Sequence, residues 1–302
     1  MSRTITVGID GSPESRAAAE WAGREAALRG LPVRLVQVWE PVPDPVAQAP
    51  LLGAETHQHG TEGILKEAAE GLRLRHPGIE VTTEQLTGRP AEALARVARE
   101  AELLVLGSRG LGGIGGFLIG SVGLSAVAHT ERPVVLVRAG EQAADEHETD
   151  AAAGAASTGD SFRPVVLGLD VGRPHDALIG FAFEAAARRN APLRVVHGSN
   201  PPPYYVYGAA LEPAVEQALE QRDAAMLTEE LSPWREKFPD VEVVEEPGYG
   251  SPSVRLIDAS REASLVVVGR RVREGALGAH IGSVTHAVLH HATAPVAVIA
   301  HA

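Results

Sequence analysis

The stretch TITVGIDGS, residues 4–12, returns as PVVLGLDVG at 164–172 and sets Asp10 opposite Asp170. Each is a short run of β-branched and aliphatic residues closed by a glycine, an apolar residue and an aspartate, which reads as a strand running into a turn. The same offset of 160 relates LPVRLVQVW (31–39) to APLRVVHGS (191–199). An offset of 162 relates GRPAEALARVAREAELLVLG (88–107) to GSPSVRLIDASREASLVVVG (250–269), and RPVVLVR (132–138) to APVAVIA (294–300). Four co-linear matches identify an internal duplication. The change of offset puts two additional residues in the second copy, between its second and third strands.

Within the first copy, apolar runs at 4–9, 33–39, 79–86, 103–106 and 134–138 predict strands, and 13–29, 61–75, 90–101 and 121–130 carry helical patterns. Ser12 followed by Pro13 is an N-cap and first-turn pair, and Gly88-Arg89-Pro90 opens the third helix in the same way. Short apolar strands alternating with helices predict an α/β chain of two tandem doubly wound domains, each a five-stranded parallel sheet with helices on both faces. The domains are placed at 1–139 and 162–302. Between them, GEQAADEHETDAAAGAASTGDS (140–161) has six acidic residues, no Lys or Arg and no apolar periodicity, so a flexible acidic linker is expected. Its alanine-rich centre leaves a helical alternative open. In doubly wound folds ligands sit beyond the carboxyl ends of the strands, at the switch in strand order. That rule singles out Asp10, Val38 and the loop after Leu106.

Composition narrows the chemistry. The 302 residues carry 39 acidic against 27 basic side chains, a net charge of −12. A general nucleic-acid binder needs the opposite balance. The absence of cysteine excludes disulfides, cysteine-based zinc sites and thiol catalysis. Lys66 follows Leu65 and Lys237 follows Glu236, and these are the two lysines of the chain, so a Walker A loop, which needs Gly-Lys, is excluded. The opening MSRTITVGID reads as a strand and not as a signal peptide, and no apolar run reaches the ~18–20 residues of a membrane span. A soluble cytoplasmic protein without a membrane or nucleic-acid partner is the expectation.

The segment LLVLGSRGLGGIGGFLIGSVGLSAVAH (103–129) runs from a buried strand through a glycine-rich loop into an amphipathic helix that starts at Gly120-Ser121. Helix N-termini offer unpaired N–H groups and partial positive charge, and glycine lets a phosphate approach the backbone. Arg109 adds a cation and Ser121 a hydroxyl. Gly110, Gly112 and Gly115 satisfy GxGxxG, but the dinucleotide fingerprint belongs to the first strand-to-helix turn, which here reads GIDGSPES. The alternative is a glycine-rich connection without a ligand; nine fixed residues between glycines ahead of a capped helix argue against it. For Asp10 the alternative is a turn-forming role before Gly11.

The spacing Gly107-x2-Gly110-x9-Gly120-Ser121 resembles the ATP-binding signature of the universal stress protein family. The first strand ending at Asp10, the second strand's Val38 and the closing GSVGLSAVAHTERPVVLVR (120–138) are similar to that family too, and the resemblance covers both copies. It implies an adenine nucleotide alpha hydrolase-like fold and ATP or a related nucleotide as ligand, with or without Mg. Gly8, Ile9, Asp10 and Val38 would line the adenine and ribose pocket. Gly107, Arg109 and Gly110 would wrap the ribose and first phosphates, and Gly120, Ser121 and Val122 would hold the rest. The resemblance also implies a role in stress responses and pairing through the last strand, as a homodimer or as an intrachain pseudo-dimer of 134–138 with 296–300.

The second copy keeps Asp170, Gly269, Gly282, Ser283 and Val284 at the matching places. Val272 stands for the signature's second glycine and Gly198 for Val38, and Arg270, Arg271 and Arg273 supply charge. Nucleotide binding, with Arg271 as its cation, and survival as a packing partner both stand open for this copy. His280, His286, His290, His291 and His301 cluster near the end; without an accompanying Glu they read as exposed helix histidines, and His57-x-His59 as a loop pair. Tyr204, Tyr205 and Tyr207 offer adenine stacking, a partner contact or simple packing. The favoured function is a nucleotide-linked regulator acting on a protein partner. Slow ATP hydrolysis, for which no general base is evident, and a nucleotide-independent interaction module are the rivals.

Overall fold

The computed structural model describes residues 3–40, 54–108, 120–148, 161–199, 213–248, 250–272 and 281–302. The chain divides into two compact units, Met1–Gln142 and Ala143–Ala302.

The N-terminal unit runs β1 (Ile5–Gly8), α1 (Pro13–Arg29), β2 (Val33–Trp39), α2 (Ala54–Arg75), β3 (Val81–Thr87), α3 (Pro90–Ala98), β4 (Leu103–Ser108), α4 (Ser121–His129) and β5 (Val134–Arg138). Its strands lie in the order β3-β2-β1-β4-β5, every pairing parallel. Ile5, Thr6 and Val7 of the central β1 are all fully buried, because helices cover both faces. The edge strand β3 instead exposes Thr82 and Thr83, which tolerate water. α1 lays Ala18, Ala22 and Ala26 against the sheet with the fully buried Trp21 beside them. Those small side chains let the helix approach closely. Each fully buried Leu or Ile, such as Ile5, Leu35 or Leu103, contributes about 1.5–3 kcal/mol.

The C-terminal unit begins with a short 3-10 turn at Ala143–Glu146. It continues with β6 (Val165–Gly168), α5 (Asp176–Arg189), β7 (Leu193–Val196), α6 (Pro213–Lys237), β8 (Val243–Glu246), α7 (Pro252–Ala259), β9 (Leu265–Arg271), α8 (Ser283–His291) and β10 (Val296–His301). Its order, β8-β7-β6-β9-β10, repeats the first unit's and is again parallel. Val33 pairs with Val81 and Leu193 with Val243, so the two additional residues fall between β7 and β8. Phe183 of α5 meets Trp234 at 6.0 Å and Phe238 at 5.6 Å, an aromatic cluster with no counterpart among the described residues of the first unit.

An ion triad repeats with the fold. Arg34 on β2 bonds Glu84 on β3 and lies 3.6 Å from Glu100; Arg194 on β7 bonds Glu246 on β8 and lies 3.6 Å from Glu262. Among the described residues no helix is long and apolar enough to cross a membrane.

Three expectations are corrected. α2 starts at Ala54, so His57 and His59 belong to a helix and not a loop. α3 ends at Ala98, and 99–101 close it with i→i+3 bonds that mimic helical periodicity. The acidic segment is not a free tether over 140–148. Glu141 accepts two bonds from Arg24 Nη2, at 2.5 and 2.7 Å. Glu146 is buried, its carbonyl accepting from Arg163 N–H at 2.8 Å, and the His147 ring packs 4.3 Å from Phe162. Composition counted these residues as solvated, but partners distant in sequence bind them. The rest of the segment, 149–160, lies outside the described residues.

Candidate functional site

β1 gives way at Gly8 to Ile9 and Asp10, and the chain turns at Gly11, whose φ of +84° favours glycine. Asp10 Oδ1 accepts from Ser12 N–H at 3.0 Å and from Ser12 Oγ at 2.5 Å; Ser12 Oγ in turn accepts from Ser15 N–H at 3.1 Å. This relay caps α1, so the turn-forming role of Asp10 is real. Burial alone would raise the Asp10 pKa, but the donors from Ser12 and Ser15 outweigh it and hold the carboxyl below its ordinary value. The result is a fixed, ionised and exposed carboxylate at the end of β1.

β4 ends beside it. A Cβ on Gly107 would lie 2.5 Å from the Glu14 carbonyl carbon, so this glycine is required first by the start of α1 crossing the strand. Gly120 is different. Its φ of −61° is open to any residue, and a Cβ there would meet no atom of the described residues within 4 Å. Among the described residues neither strain nor crowding asks for glycine at this N-cap, which supplies no side-chain bond to the helix. The N–H groups of Ser121, Val122 and Gly123 precede the first intrahelical bond, Leu124 N–H to Gly120 O at 3.1 Å.

These ends surround one cavity of ≈ 250 Å³, at the crevice where strand order reverses. Gly8, Ile9 and Asp10 line it from β1, Val38 from β2, Gly107 from β4, and Gly120, Ser121 and Val122 from α4. Arg109 and Gly110 lie outside the described residues. Ser12, Glu14, Pro90 and Leu94 also line it. The capping signals of Ser12 and Pro90 were legible, but not that both caps face one crevice.

The equivalent crevice of the C-terminal unit is a cavity of ≈ 560 Å³ that gathers Asp170, Gly269, Arg271, Gly282, Ser283 and Val284. Gly282 repeats Gly120: φ −59°, no atom of the described residues within 4 Å of a Cβ, and no side-chain cap. Val272 does not stand where positive φ is needed; its N–H bonds His301 O at 2.6 Å, continuing the β9–β10 ladder. Gly198, in the place of Val38, is required by packing, since a Cβ would lie 2.8 Å from Pro252 Cα. Of the arginines, Arg271 faces the cavity, Arg270 is buried, and Arg273 lies outside the described residues.

The wider cavity follows from a shorter helix. α5 starts at Asp176, and residues 173–175, which match the first turn Pro13-Glu14-Ser15 of α1, are not helical. Without that turn over the strand, Gly269 is approached by His301 and Leu178 side chains instead of by backbone. His301 therefore belongs to β10 and to the cavity, correcting its grouping with helix histidines. His286 and His290 do sit on α8, rings 4.4 Å apart. His280 and Tyr204, Tyr205 and Tyr207 lie outside the described residues. Arg173 and His197 join the lining, residues the sequence reading did not single out because Pro13 and Gln37 hold their places in the first copy.

Both cavities suit an anion that touches backbone: glycine N-caps with open space, free helix N–H groups and, in the second, arginine. Among the described residues no group of three His, Asp or Glu side chains is placed to hold a metal.

Comparison with known proteins agrees with the repeat. The model of the universal stress protein family matches residues 1–138 and 161–300. A universal stress protein of Mycolicibacterium smegmatis is 33% identical over 306 residues, covering 98% of this chain and 96% of that one. One from Mycobacterium tuberculosis is 33% identical over 316 residues, covering 97% and 94%. The crystal structure of a universal stress protein from Archaeoglobus fulgidus has the same fold, with a TM-score of 0.70 at 17% identity over 100% of both chains. This chain, two copies of one domain in tandem, belongs to the universal stress protein family.

Proposed function

We propose that the N-terminal unit binds an adenine nucleotide, ATP in the first instance, and that occupancy regulates what the protein presents to a protein partner. The observation that carries this is Gly120: a glycine at a helix start that neither φ nor packing among the described residues explains, opening on a cavity at the switch point. A ligand phosphate is what such a position admits. In this reading the N–H groups of Ser121, Val122 and Gly123 take the phosphates. The fixed Asp10 carboxylate accepts ribose hydroxyls, and Ile9, Val36, Val38 and Leu94 offer the apolar wall for the base. Such a ligand ties together the ends of β1 and β4 and the start of α4. Its binding energy is then available to shift the populations of their connecting segments.

The test is direct. Purified protein is denatured and its released small molecules are weighed by mass spectrometry, and ATP binding is measured by calorimetry on wild type and Gly120→Val. Released adenine nucleotide, and ATP binding that the variant weakens at least tenfold while its circular dichroism is unchanged, are the expected results. No nucleotide and no ATP binding would sink the proposal.

A further inference from the structure

The two cavities differ in charge at positions outside the family signature, whose Arg109 is matched by Arg271 in the second copy. Among the described residues the charged side chains lining the first are Asp10 and Glu14, both acidic. Among the described residues the second is lined by Arg173, His197 and His301, with Arg271 in the place of Arg109, against the carboxylate of Asp170. Arg173 takes the place of Pro13 and His301 that of Ala139. His301 pairs in register with Arg271 across β10 and β9, which puts both side chains on one face. Its Nε2 lies 2.7 Å from where a Cβ of Gly269 would be, so the ring lies over that glycine at the cavity floor. Nδ1 contacts Ala302 O at 3.2 Å, and Nε2 makes no hydrogen bond among the described residues.

We propose that His301, with Arg271 beside it and Arg173 lining the same cavity, makes the C-terminal cavity a proton-coupled site for a di- or triphosphate chain, so that the ligand and a proton on His301 bind together. The inference rests on the nucleotide reading of the repeated cavity and adds its ligand charge and its linkage. The groups around the ring are His175, 4.9 Å away between centroids, and Arg271 and Arg270 on β9. The start of α8 contributes the uncharged Ser283 and Thr285. His197 is turned to other partners, Nδ1 to Leu169 O at 2.9 Å and Nε2 towards Asp223 at 3.6 Å. Asp170 is engaged by Gly172 N–H at 3.1 Å. Burial first, against the opposing bond to the Ala302 carbonyl and with the electrostatic effect of His175, Arg271 and Arg270, holds the His301 pKa below its ordinary value in the empty cavity. A phosphate chain against the same ring reverses the sign of its surroundings and raises that pKa, so binding draws in a proton from the buffer. Affinity then rises as pH falls from above the bound-state pKa to below the free one, with a limiting slope of about tenfold per pH unit for one proton.

The experiment titrates the full chain with ATP, inorganic triphosphate and adenosine near pH 6.5, in buffers of different ionisation enthalpy, and repeats it at pH 8. Gly282→Val identifies which binding event belongs to the second cavity. Net proton uptake with ATP and with inorganic triphosphate, but not with adenosine, is expected. His301→Gln should abolish the uptake and the pH dependence, and His301→Lys should keep affinity at both pH values without uptake. Uptake that persists in His301→Gln, uptake with adenosine, or equal wild-type affinity at pH 6.5 and 8 overturns the inference. If inorganic triphosphate binds with His301-dependent uptake while ATP binds neither cavity, the nucleotide reading fails and this one stands. If neither ligand binds, both fail.

Discussion

At single residues, glycines that look alike in sequence do different work. Gly107 and Gly120 both belong to the spaced signature, yet among the described residues one is held by protein backbone and the other meets no neighbour. Gly107→Ala should therefore cost about 1–3 kcal/mol in urea unfolding, because the helix start at Glu14 cannot retreat without losing its contacts on the sheet. Gly120→Ser should leave stability equal or raise it by a few tenths of a kcal/mol, since serine is the better N-cap, while it crowds the cavity and weakens ATP. Equal losses in both variants would contradict this division. Asp10 gives a pH test. Its folded pKa is depressed, so its stabilisation is present above the unfolded value and is lost as pH falls through the folded one. Asp10→Ala should be destabilised at pH 7, and the gap to wild type should close below the ordinary aspartate range.

Elements show how the repeat diverged. α1 and α5 end alike in left-handed residues, Gly30 at φ 63° and Asn190 at φ 48°, but they begin differently. α1 is capped by Ser12 and starts at Pro13; α5 has His175 as an N-cap without a side-chain bond and starts three residues later in the repeat. Ser12→Ala should cost about 1 kcal/mol by removing the cap and the Asp10 contact together, measured by denaturant unfolding. The sequence showed Ser12-Pro13 plainly, and the strands were legible because central parallel strands are buried on both faces. It did not show that the loss of one helical turn widens a cavity and lets His301 in. That consequence depends on β10 lying beside β9, a neighbour about thirty residues away in the chain. The Arg34–Glu84 and Arg194–Glu246 pairs were hidden for the same reason. Both are partly exposed, so Glu84→Gln or Glu246→Gln should cost only about 0.5–1 kcal/mol and less at high salt.

Across the whole molecule, the boundary between units lies at Gln142–Ala143 and not at the far end of the acidic segment. The C-terminal unit binds its leading residues through Phe162, which packs on His147 and lies under the Arg189 guanidinium at 5.7 Å. Phe162→Ala in the full chain should speed amide hydrogen exchange in the 3-10 turn, β6 and α5 and leave the exchange of β1 to β5 unchanged. The opposite pattern would return 143–148 to a free tether. By itself the sequence determined the duplication, the strand and helix order and the glycine and aspartate positions at the strand ends, because these follow from local periodicity and turn chemistry. Only the tertiary structure decided which glycine is filled by protein and which is open, which arginine faces a cavity, and that a histidine near the end of the chain sits on a cavity floor. Those properties are set by what approaches a residue through space, and the chain order of a parallel sheet leaves such neighbours far apart in sequence.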